Sequence, residues 1–558
     1  MKGDVVSWFA TGQDHRDEGG SKVRPRLWQP SVEPTPPEAA VMRRVKRAKL
    51  FVFLREHRHE IFEEGFQEEL GAIYRDSRLG QPPVPPARLA LATILQAYTG
   101  VSDDEAIEAM VMDRRWQLVL GCPEASEPPF SKSTLVAFRK RLIEHEMDRR
   151  LVERTVEVAA RTRAFGHKAL RAALDSSPLW GAGRVEDTYN LLGDALKKAL
   201  GVICRQQGRG LAEVAAEAGA PLLGGTASLK AALDLDWDEP EERALALVRV
   251  LEALSAVEAY LLCPAGSASE ERQSVAEEEL AGGMEVARRV RAQDVLEQED
   301  GETPVLRRGV ARERLVSVED PQMRHGRKSK SVRFSGYKRH VLRDLDTELV
   351  RAVGLTPANA PEASVTESIA ADLARQPGGG ELKELHIDRA YLSSSLVRER
   401  PEDLEVYCKA WRVTNGERFP KTEFSLEWER GLMSCPAGVS MPFEPGGVVR
   451  FPKKTCASCP LRERCTKSTT GGRSVSVHPD ERLLAELRER QRTPEGRKKL
   501  RERVGVEHSL ADIGQWQGDR ARYKGERKNL FDLRRSAVVH NLHVIARTQP
   551  TRSDQEAA

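Results

Sequence analysis

Asp175 closes the strand-like run ALRAAL, and Asp388 closes ELHI. A residue at the end of a strand stands at the rim of a sheet, and neighbouring strands bring two such groups within a few ångströms. Two carboxylates placed that way repel unless a cation lies between them. Mg²⁺ suits the position, because it is hard, takes oxygen ligands and keeps waters that substrate can replace. A third carboxylate from a helix crossing the sheet edge completes a site for two ions, whose chemistry is in-line displacement at phosphorus. Glu507 is the candidate, with Arg503 four residues earlier on the same helix face; Glu502 is its competitor. The ordinary readings stand beside this one. An Asp after a strand is commonly a turn former, and an Arg–Glu pair at i, i+4 is a surface ion pair of about 0.3–0.5 kcal/mol. Patterning leaves both open.

Four of the eight cysteines are clustered, Cys435, Cys456, Cys459 and Cys465, with the spacing C-x20-C-x2-C-x5-C. Four thiolates match the tetrahedral preference of Zn²⁺, and CASC supplies a tight knuckle. The surrounding Gly, Pro and Lys leave few apolar side chains, so a structural zinc is expected to stabilise the segment. Free thiols or a disulfide are the alternatives. Cys122, Cys204, Cys263 and Cys408 read as ordinary core or half-exposed residues.

Two basic stretches flank the carboxylates. Pro321 to Arg343 holds eight Lys/Arg and no acid, interleaved with Phe334 and Tyr337, and residues 491–550 hold 14 Lys/Arg against 7 Asp/Glu. Such regions neutralise a polyanion, although a charge run is also an ordinary solvated face. The expected nucleic-acid contacts are Arg327, Lys328, Lys330, Lys338, Arg339, Arg503, Arg522 and Lys524, with Arg139, Lys140 and Arg141 in a more N-terminal helix. Trp516 is read as a core residue in preference to a base-stacking one.

These residues need elements to hold them. Residues 1–40 are Pro-rich, without periodicity, and are expected as a disordered arm. Residues 41–165 carry helical periodicity, with Leu50, Phe53, Leu54 and Ile61 on one face, a helix ending at Gly100, and caps at Ser102 and at Ser131 or Ser133. Two capped helices there suggest a helix-turn-helix, against the plainer reading of a helical bundle. Strand patterns appear at 169–175, 331–359, 381–388 and 404–411. Between them lie a helical insertion at about 190–320 and a Cys-rich insertion at about 411–475. Thr493 and Pro494 open a charged helix carrying Glu507, and a last apolar-striped helix runs to about 545. Residues 546–558 read as a disordered tail. The class is α/β in the multidomain α+β sense.

Composition bounds the rest. The chain has 558 residues, 88 Lys+Arg against 85 Asp+Glu, 40% hydrophobic and 31% charged residues. That balance excludes a membrane-embedded or wholly disordered chain. With no apolar run of about 18 residues and no apolar stretch near the start, no membrane span or secretory signal is expected, and a cytoplasmic location is the default.

The chain resembles bacterial insertion-sequence transposases of the DDE type. LDSSP around Asp175, FSGYKRHVLRD with TPANAPE, HIDRAYLSS around Asp388, and RERVGVEHSLADIGQWQGDRARYKGERKN carry the likeness. QAYTGVSDDEAIEAMVMDRRWQLVLG and FSKSTLVAFRKRL look like the family's N-terminal domain. Together they span roughly residues 50–545 in the expected order. The resemblance implies a helical DNA-binding domain over 41–165 and a ribonuclease H-like DDE core over 166–545. In that core Asp175, Asp388 and Glu507 hold two Mg²⁺ or Mn²⁺ ions. It also implies double-stranded DNA as substrate (terminal inverted repeats and target), strand cleavage and strand transfer, a homodimer or higher assembly, and a nucleoid-associated cytoplasmic protein. One departure stands out. Relatives read Tyr-x2-Arg-x3-Glu-x6-Lys; here Arg503 and Glu507 fit, but Leu500 replaces the Tyr and Gly514 the Lys, leaving Tyr523 and Lys524 farther on. The alternatives to an enzyme are a non-catalytic DNA-binding regulator and, more remotely, a zinc-dependent structural protein.

Overall fold

The computed structural model describes residues 23–75, 80–161, 169–225, 228–261, 270–297, 303–376 and 381–548. Cys263 and residues 1–22 and 549–558, which hold most of the expected arm and tail, lie outside them. The chain divides into two compact units, one of residues 1–158 with 542–558 and one of residues 159–541.

The first unit is helical: α1 (Pro36–Arg44), α2 (Lys49–Ile61), α3 (Glu64–Ala72), α4 (Pro86–Thr99), α5 (Asp103–Met112), α6 (Arg114–Leu120), α7 (Lys132–Glu144) and most of α8 (Met147–Ala160). Leu50, Phe53, Leu54 and Ile61 are buried as the periodicity requires. Gly100 ends α4 in the left-handed region, Ser102 caps α5 in a reciprocal box with Glu105, and Ser131 caps α7. Two expectations need correction. Residues 23–40 are not an arm: Trp28 is buried, its backbone exchanges hydrogen bonds with the Gln67 amide at 2.7 and 2.9 Å, and Arg58 lies over its ring. The capped helices α5 and α7 are not joined by one turn, because α6 stands between them. Its start is dictated by Asp113, whose carboxylate accepts from the Arg115 N–H.

The second unit begins with β1 (Leu170–Trp180). A helical layer follows: α9 (Thr188–Gln207), α10 (Leu211–Glu217), α11 (Leu229–Leu233), α12 (Pro240–Leu261) and α13 (Glu270–Asp294), then the short ribbon β2 (Val295–Leu296) and β3 (Val305–Leu306). Leu191, Leu196, Leu200, Val250, Leu254 and Val290 share its core. The chain returns through β4 (Arg324–Arg327), β5 (Arg333–Asp344), β6 (Val350–Pro357), α14 (Thr366–Ala374), β7 (Leu382–Ile387), α15 (Ser395–Arg398) and β8 (Glu405–Cys408). These strands and β1 make one mixed sheet in the order β6-β5-β1-β7-β8, with β4 on the outer end of β5. β5 runs antiparallel to β1 and β6, while β7 and β8 run parallel to β1.

The Cys-rich segment forms small strands β9 (Ser425–Glu427), β10 (Leu432–Ser434), β11 (Ser440–Pro442) and β12 (Val448–Arg450), short helices α16 (Lys453–Ala457) and α17 (Arg462–Cys465), and β13 (Ser474–Ser476). The chain ends in α18 (Glu481–Arg492), α19 (Pro494–Glu502), α20 (Val504–Gln517) and α21 (Glu526–Thr548). The single charged helix expected from Thr493 is thus two, breaking at Arg503.

Alternation along β1 sorts its side chains. Leu170, Ala172 and Leu174 join Leu385 and Ile387 of β7 and Leu483, Leu484 and Leu487 of α18 in one core, so Arg171, Ala173 and Asp175 face the other way, toward α20. Gly336 lets β5 cross close under the end of β1: at φ +150° a Cβ there would lie 2.2 Å from the Leu179 carbonyl oxygen.

Glu186, where the chain leaves β1 for the helical layer, accepts a backbone hydrogen bond from Val318 and shares one with Asp194. Its own N–H donates to the Val316 carbonyl at 3.0 Å. Burial, followed by the Asp194 carboxylate, pushes its carboxyl up to about 8 from an ordinary 4.5. Between those values the folded chain holds a proton that the unfolded chain has released, so stability falls as pH rises through that window. Glu186→Gln keeps a donor toward Asp194 without the charge. It is expected to raise stability at pH 8 by about 2 kcal/mol and to change little at pH 4, read by calorimetry. An equal effect at both pH values contradicts it.

Candidate functional site

β1 and β7 are in register at Leu174 and Ile387. The next residue on each is the candidate acid, so Asp175 and Asp388 occupy neighbouring positions where the parallel ladder ends. Asp175 is not the last residue of its strand, as the sequence suggests. β1 continues to Trp180, but beyond Leu174 it pairs with β5 and no longer with β7. Asp388 does follow β7 directly, is exposed, and caps the turn 389–391 through the Arg389 N–H at 2.6 Å.

α20 brings the third acid. Two arginines of the sheet tie it down, both on β5. Arg343 donates to the Gly505 carbonyl at 2.5 Å and to Ser509 at 3.1 Å, fixing its start. Arg339 donates to the Gly518 carbonyl, just past the end of α20, at 2.9 Å and to the Gln517 side-chain oxygen at 3.2 Å, and reaches Ser177 of β1 at 2.7 Å. Glu507 then lies in the first turn of α20, exposed, where helix N-termini favour anions. Arg503, at the break between α19 and α20, donates one arm of its guanidinium to Asp175 and the other to Glu507 at 2.8 Å. One cation therefore bridges two of the three acids.

Burial and the nearby charge of Asp388 push the Asp175 carboxyl up, against the pull of Arg503 and the Ser176 N–H. The same Asp388 charge, after burial, contributes to pushing the Cys408 thiol up to about 12. Asp175 thus feels the charge of Asp388, and Arg503 links it to Glu507. Hard oxygen donors, two of them exposed, fit a divalent cation of the Mg²⁺ type.

Behind the acids is a polar layer not legible from spacing. His340 on β5, fully buried, bonds the Tyr391 hydroxyl through Nδ1 at 2.8 Å and the Thr356 hydroxyl through Nε2 at 3.0 Å. Burial first, then Lys338, pulls the imidazole down to about 3, so it is neutral at physiological pH. Its one sequence signal is a histidine inside the apolar alternation of a strand.

The expected basic surface divides. Arg327, Lys328 and Lys330 are exposed on the β4–β5 hairpin, and Arg522 and Lys524 are exposed after α20, Lys524 beside Glu319 at 2.7 Å. Lys338 is half-buried and held by Glu362 at 2.9 Å. Arg339 is 4% exposed and serves α20, as above. Lys140 is exposed, and Arg141 lies over the Tyr74 ring. Arg139, 7% exposed, is bidentate with Asp103 at 2.5 and 2.6 Å and bonds Gln96 at 2.7 Å. Arg139 and Arg339 thus leave the set of accessible cations. Both sit at inward positions of regular elements, which a count of basic residues ignores. Trp516 is half-buried, edge-on to His540.

The four clustered cysteines line one cavity of about 30 Å³ together with Phe419, Phe451 and Arg473. Burial, with the other three thiols contributing, pushes the Cys465 thiol up. Among the described residues the tightest set of candidate ligands lies elsewhere: Glu384, His386 and Glu502, with one atom of each within 4.8 Å of the others. Arg171 and Lys499 already bind its carboxylates, so the competitor Glu502 is committed to an ion-pair network. No helix among the described residues is long and apolar enough to cross a membrane.

Residues 42–141 match the family model described as Transposase domain (DUF772), and residues 434–546 match the Transposase DDE domain. The second match contains Glu507 and the cysteine cluster; Asp175 and Asp388 precede it. No curated protein and no solved structure matches the chain. Two transposase domains on one chain, in the order that the sequence resemblance requires, support an insertion-sequence transposase of the DDE type.

Proposed function

We propose that the chain binds the terminal inverted repeats of its own DNA element and catalyses metal-dependent strand cleavage and strand transfer there. One observation carries the reading: Asp175 and Asp388 are register neighbours at the end of the β1–β7 ladder, and Arg503 joins Asp175 to Glu507 across from α20. The strand order β6-β5-β1-β7-β8, with only β5 reversed among its neighbours, is the arrangement expected of a ribonuclease H-like core.

Asp175, Asp388 and Glu507 would hold two Mg²⁺ or Mn²⁺ ions. When bound, such ions activate the attacking oxygen and stabilise the leaving oxygen of a phosphodiester. The chain supplies the rest. Arg503 pairs with Asp175 and Glu507 and would be placed to neutralise a phosphate held beside them. The exposed Arg327, Lys328 and Lys330 neutralise the DNA backbone on one side, and Arg522 and Lys524 on the other. Cys435, Cys456, Cys459 and Cys465 hold a structural Zn²⁺. The first unit reads the repeat, with Lys140 and Arg141 among its accessible cations. Its recognition surface is tested in the full chain, because residues 542–548 of α21 belong to that unit and a fragment ending near 165 lacks them. A dimer or larger assembly on paired ends in the bacterial nucleoid completes the proposal.

The test is incubation of the purified chain with labelled duplexes carrying the element's ends, with Mg²⁺ or with chelator. Nicking at the element boundary with Mg²⁺ alone is expected, together with tighter binding to the end sequence than to a scrambled duplex at fixed salt. Preferential binding without any cleavage supports the regulator instead.

A further inference from the structure

Arg171 and Glu384 are register partners on β1 and β7. Each lies four residues before a candidate acid and on the same face of its strand, Arg171 below Asp175 and Glu384 below Asp388. Four strand residues span about 13 Å. At that depth Glu384, 7% exposed, gathers its neighbours. It accepts from Arg171 Nη2 at 2.9 Å, from Lys499 Nζ at 2.8 and 3.0 Å, and meets His386 Nε2 at 2.6 Å. Lys499 belongs to α19, the helix that leads into Arg503 and Glu507. Glu502, from the same helix, closes the ring by pairing with Arg171. Asp346 adds a further contact to Arg171 at 2.8 Å. His386 is fully buried and stacks on Tyr407 of β8, with ring centres 4.8 Å apart.

We infer that Glu384 is a positioning residue: at one depth beneath the acids it joins β1 and β7, which lead to Asp175 and Asp388, to α19, which leads through Arg503 into the helix bearing Glu507, and so sets the spacing of the three carboxylates. β1 and β7 are already fixed to each other by their ladder. α19 has no such ladder to the sheet, and its attachment to the network is ionic. The hydrogen bonds from His386, Arg171 and Lys499 outweigh burial and hold the Glu384 carboxyl well below the usual range, so Glu384 stays charged in mild acid. Removing the Glu384 charge leaves Arg171 with Glu502 and Asp346 and takes from Lys499 its carboxylate partner on β7. α19 then loses its register against β7, and the Arg503 junction that opens α20 loses its support from the network, which shifts Glu507 relative to Asp388 even though Arg343 still holds the backbone at Gly505. The inference rests on the reading of those three acids as metal ligands.

The test uses the full chain without DNA and measures Mn²⁺ binding by electron paramagnetic resonance, with Asp388→Asn as the control that identifies the site. Groups behind metal ligands typically change metal affinity by roughly 10- to 100-fold. Glu384→Gln is expected to weaken the Asp388-dependent Mn²⁺ binding by about tenfold, with affinity for a random-sequence duplex within about twofold. Lys499→Met, at a more exposed position and safer for folding, should weaken it in the same direction, and Lys499→Arg, which keeps the charge, should bind as wild type. Mn²⁺ binding unchanged in both Glu384→Gln and Lys499→Met overturns the inference. So does Mn²⁺ that persists in Asp388→Asn and disappears in Glu384→Gln, which would make the network itself the metal site. Wild-type chain with no Asp388-dependent Mn²⁺ overturns the metal reading of the acids and the inference with it. An equal loss in Lys499→Arg and Lys499→Met also counts against it, because packing and not charge would then be responsible.

Discussion

Asp388→Asn, Asp175→Asn and Glu507→Gln are each expected to reduce strand cleavage by at least about 10³-fold, while DNA affinity stays within a few-fold of wild type. Each change keeps the shape of the side chain and removes one charged oxygen, and groups that act as a unit lose nearly everything when one is removed. The three variants are separable by what they do to the folded chain. Asp175 sits where burial and Asp388 push its carboxyl up. A carboxyl raised in the folded state is held at a cost above its unfolded value, so Asp175→Asn should leave thermal stability unchanged or slightly higher near neutral pH. The lost ion pair to Arg503 offsets part of that gain. Asp388 and Glu507 are exposed, and their replacement should not move the melting temperature. Cleavage near the wild-type rate in any one variant removes that residue from the set. Full loss of DNA binding in all three would mean that the acids serve the fold, and the catalytic reading would fail.

The carboxylates were legible in the sequence because strand patterns flank two of them and a helix pattern carries the third. Their mutual placement was not. Nothing in ALRAALD reveals that β1 continues to Trp180, because Ser176, Ser177 and Pro178 lack strand character; their pairing with His340, Arg339 and Lys338 of β5 decides it. Helix caps were readable at Ser102 and Ser131, where a short polar side chain reaches a local N–H. The packing of residues 23–40 is hidden by Pro-rich composition, because its anchors are tertiary: Trp28, and the Arg55 guanidinium that takes the Ser31, Val32 and Glu33 carbonyls and the Glu38 carboxylate. Basic residues misled where long-range partners consumed them. Arg139 is committed to Asp103 and Gln96, and Arg339 to the end of α20, partners 36 and 179 residues away in the sequence. The Glu384 network was invisible for the same reason, since it joins residues from four separate segments.

Replacing Cys456 and Cys459 together by Ser should release about one Zn²⁺ per chain and make residues 430–470 sensitive to protease, with little change elsewhere. The segment is less bare than its composition suggests. Phe424, Met433, Phe443, Val449, Phe451, Val475 and Val477 form a small core, with Cys435, Cys456 and Cys465 packed against it. Seven buried apolar side chains, three of them on strands of three residues, are still a small reserve, and two- or three-stranded sheets of this size are marginal alone. Structural zinc in small peptides contributes roughly 10–16 kcal/mol at neutral pH, far more than such a core supplies. The four thiols already line a common cavity, so a metal would close an existing arrangement and not build a new one. Zn²⁺ affinity should fall in acid, as protons compete for the thiolates, and most steeply for a set that includes Cys465, whose thiol burial holds up. The wild-type chain stripped with chelator should show the same protease pattern as the double variant, and adding Zn²⁺ should restore protection in the first and not in the second. If zinc content is unchanged in the double variant, the four-cysteine assignment is wrong. If zinc is lost but residues 430–470 remain protected, the small apolar core is sufficient and the metal is not what holds the segment.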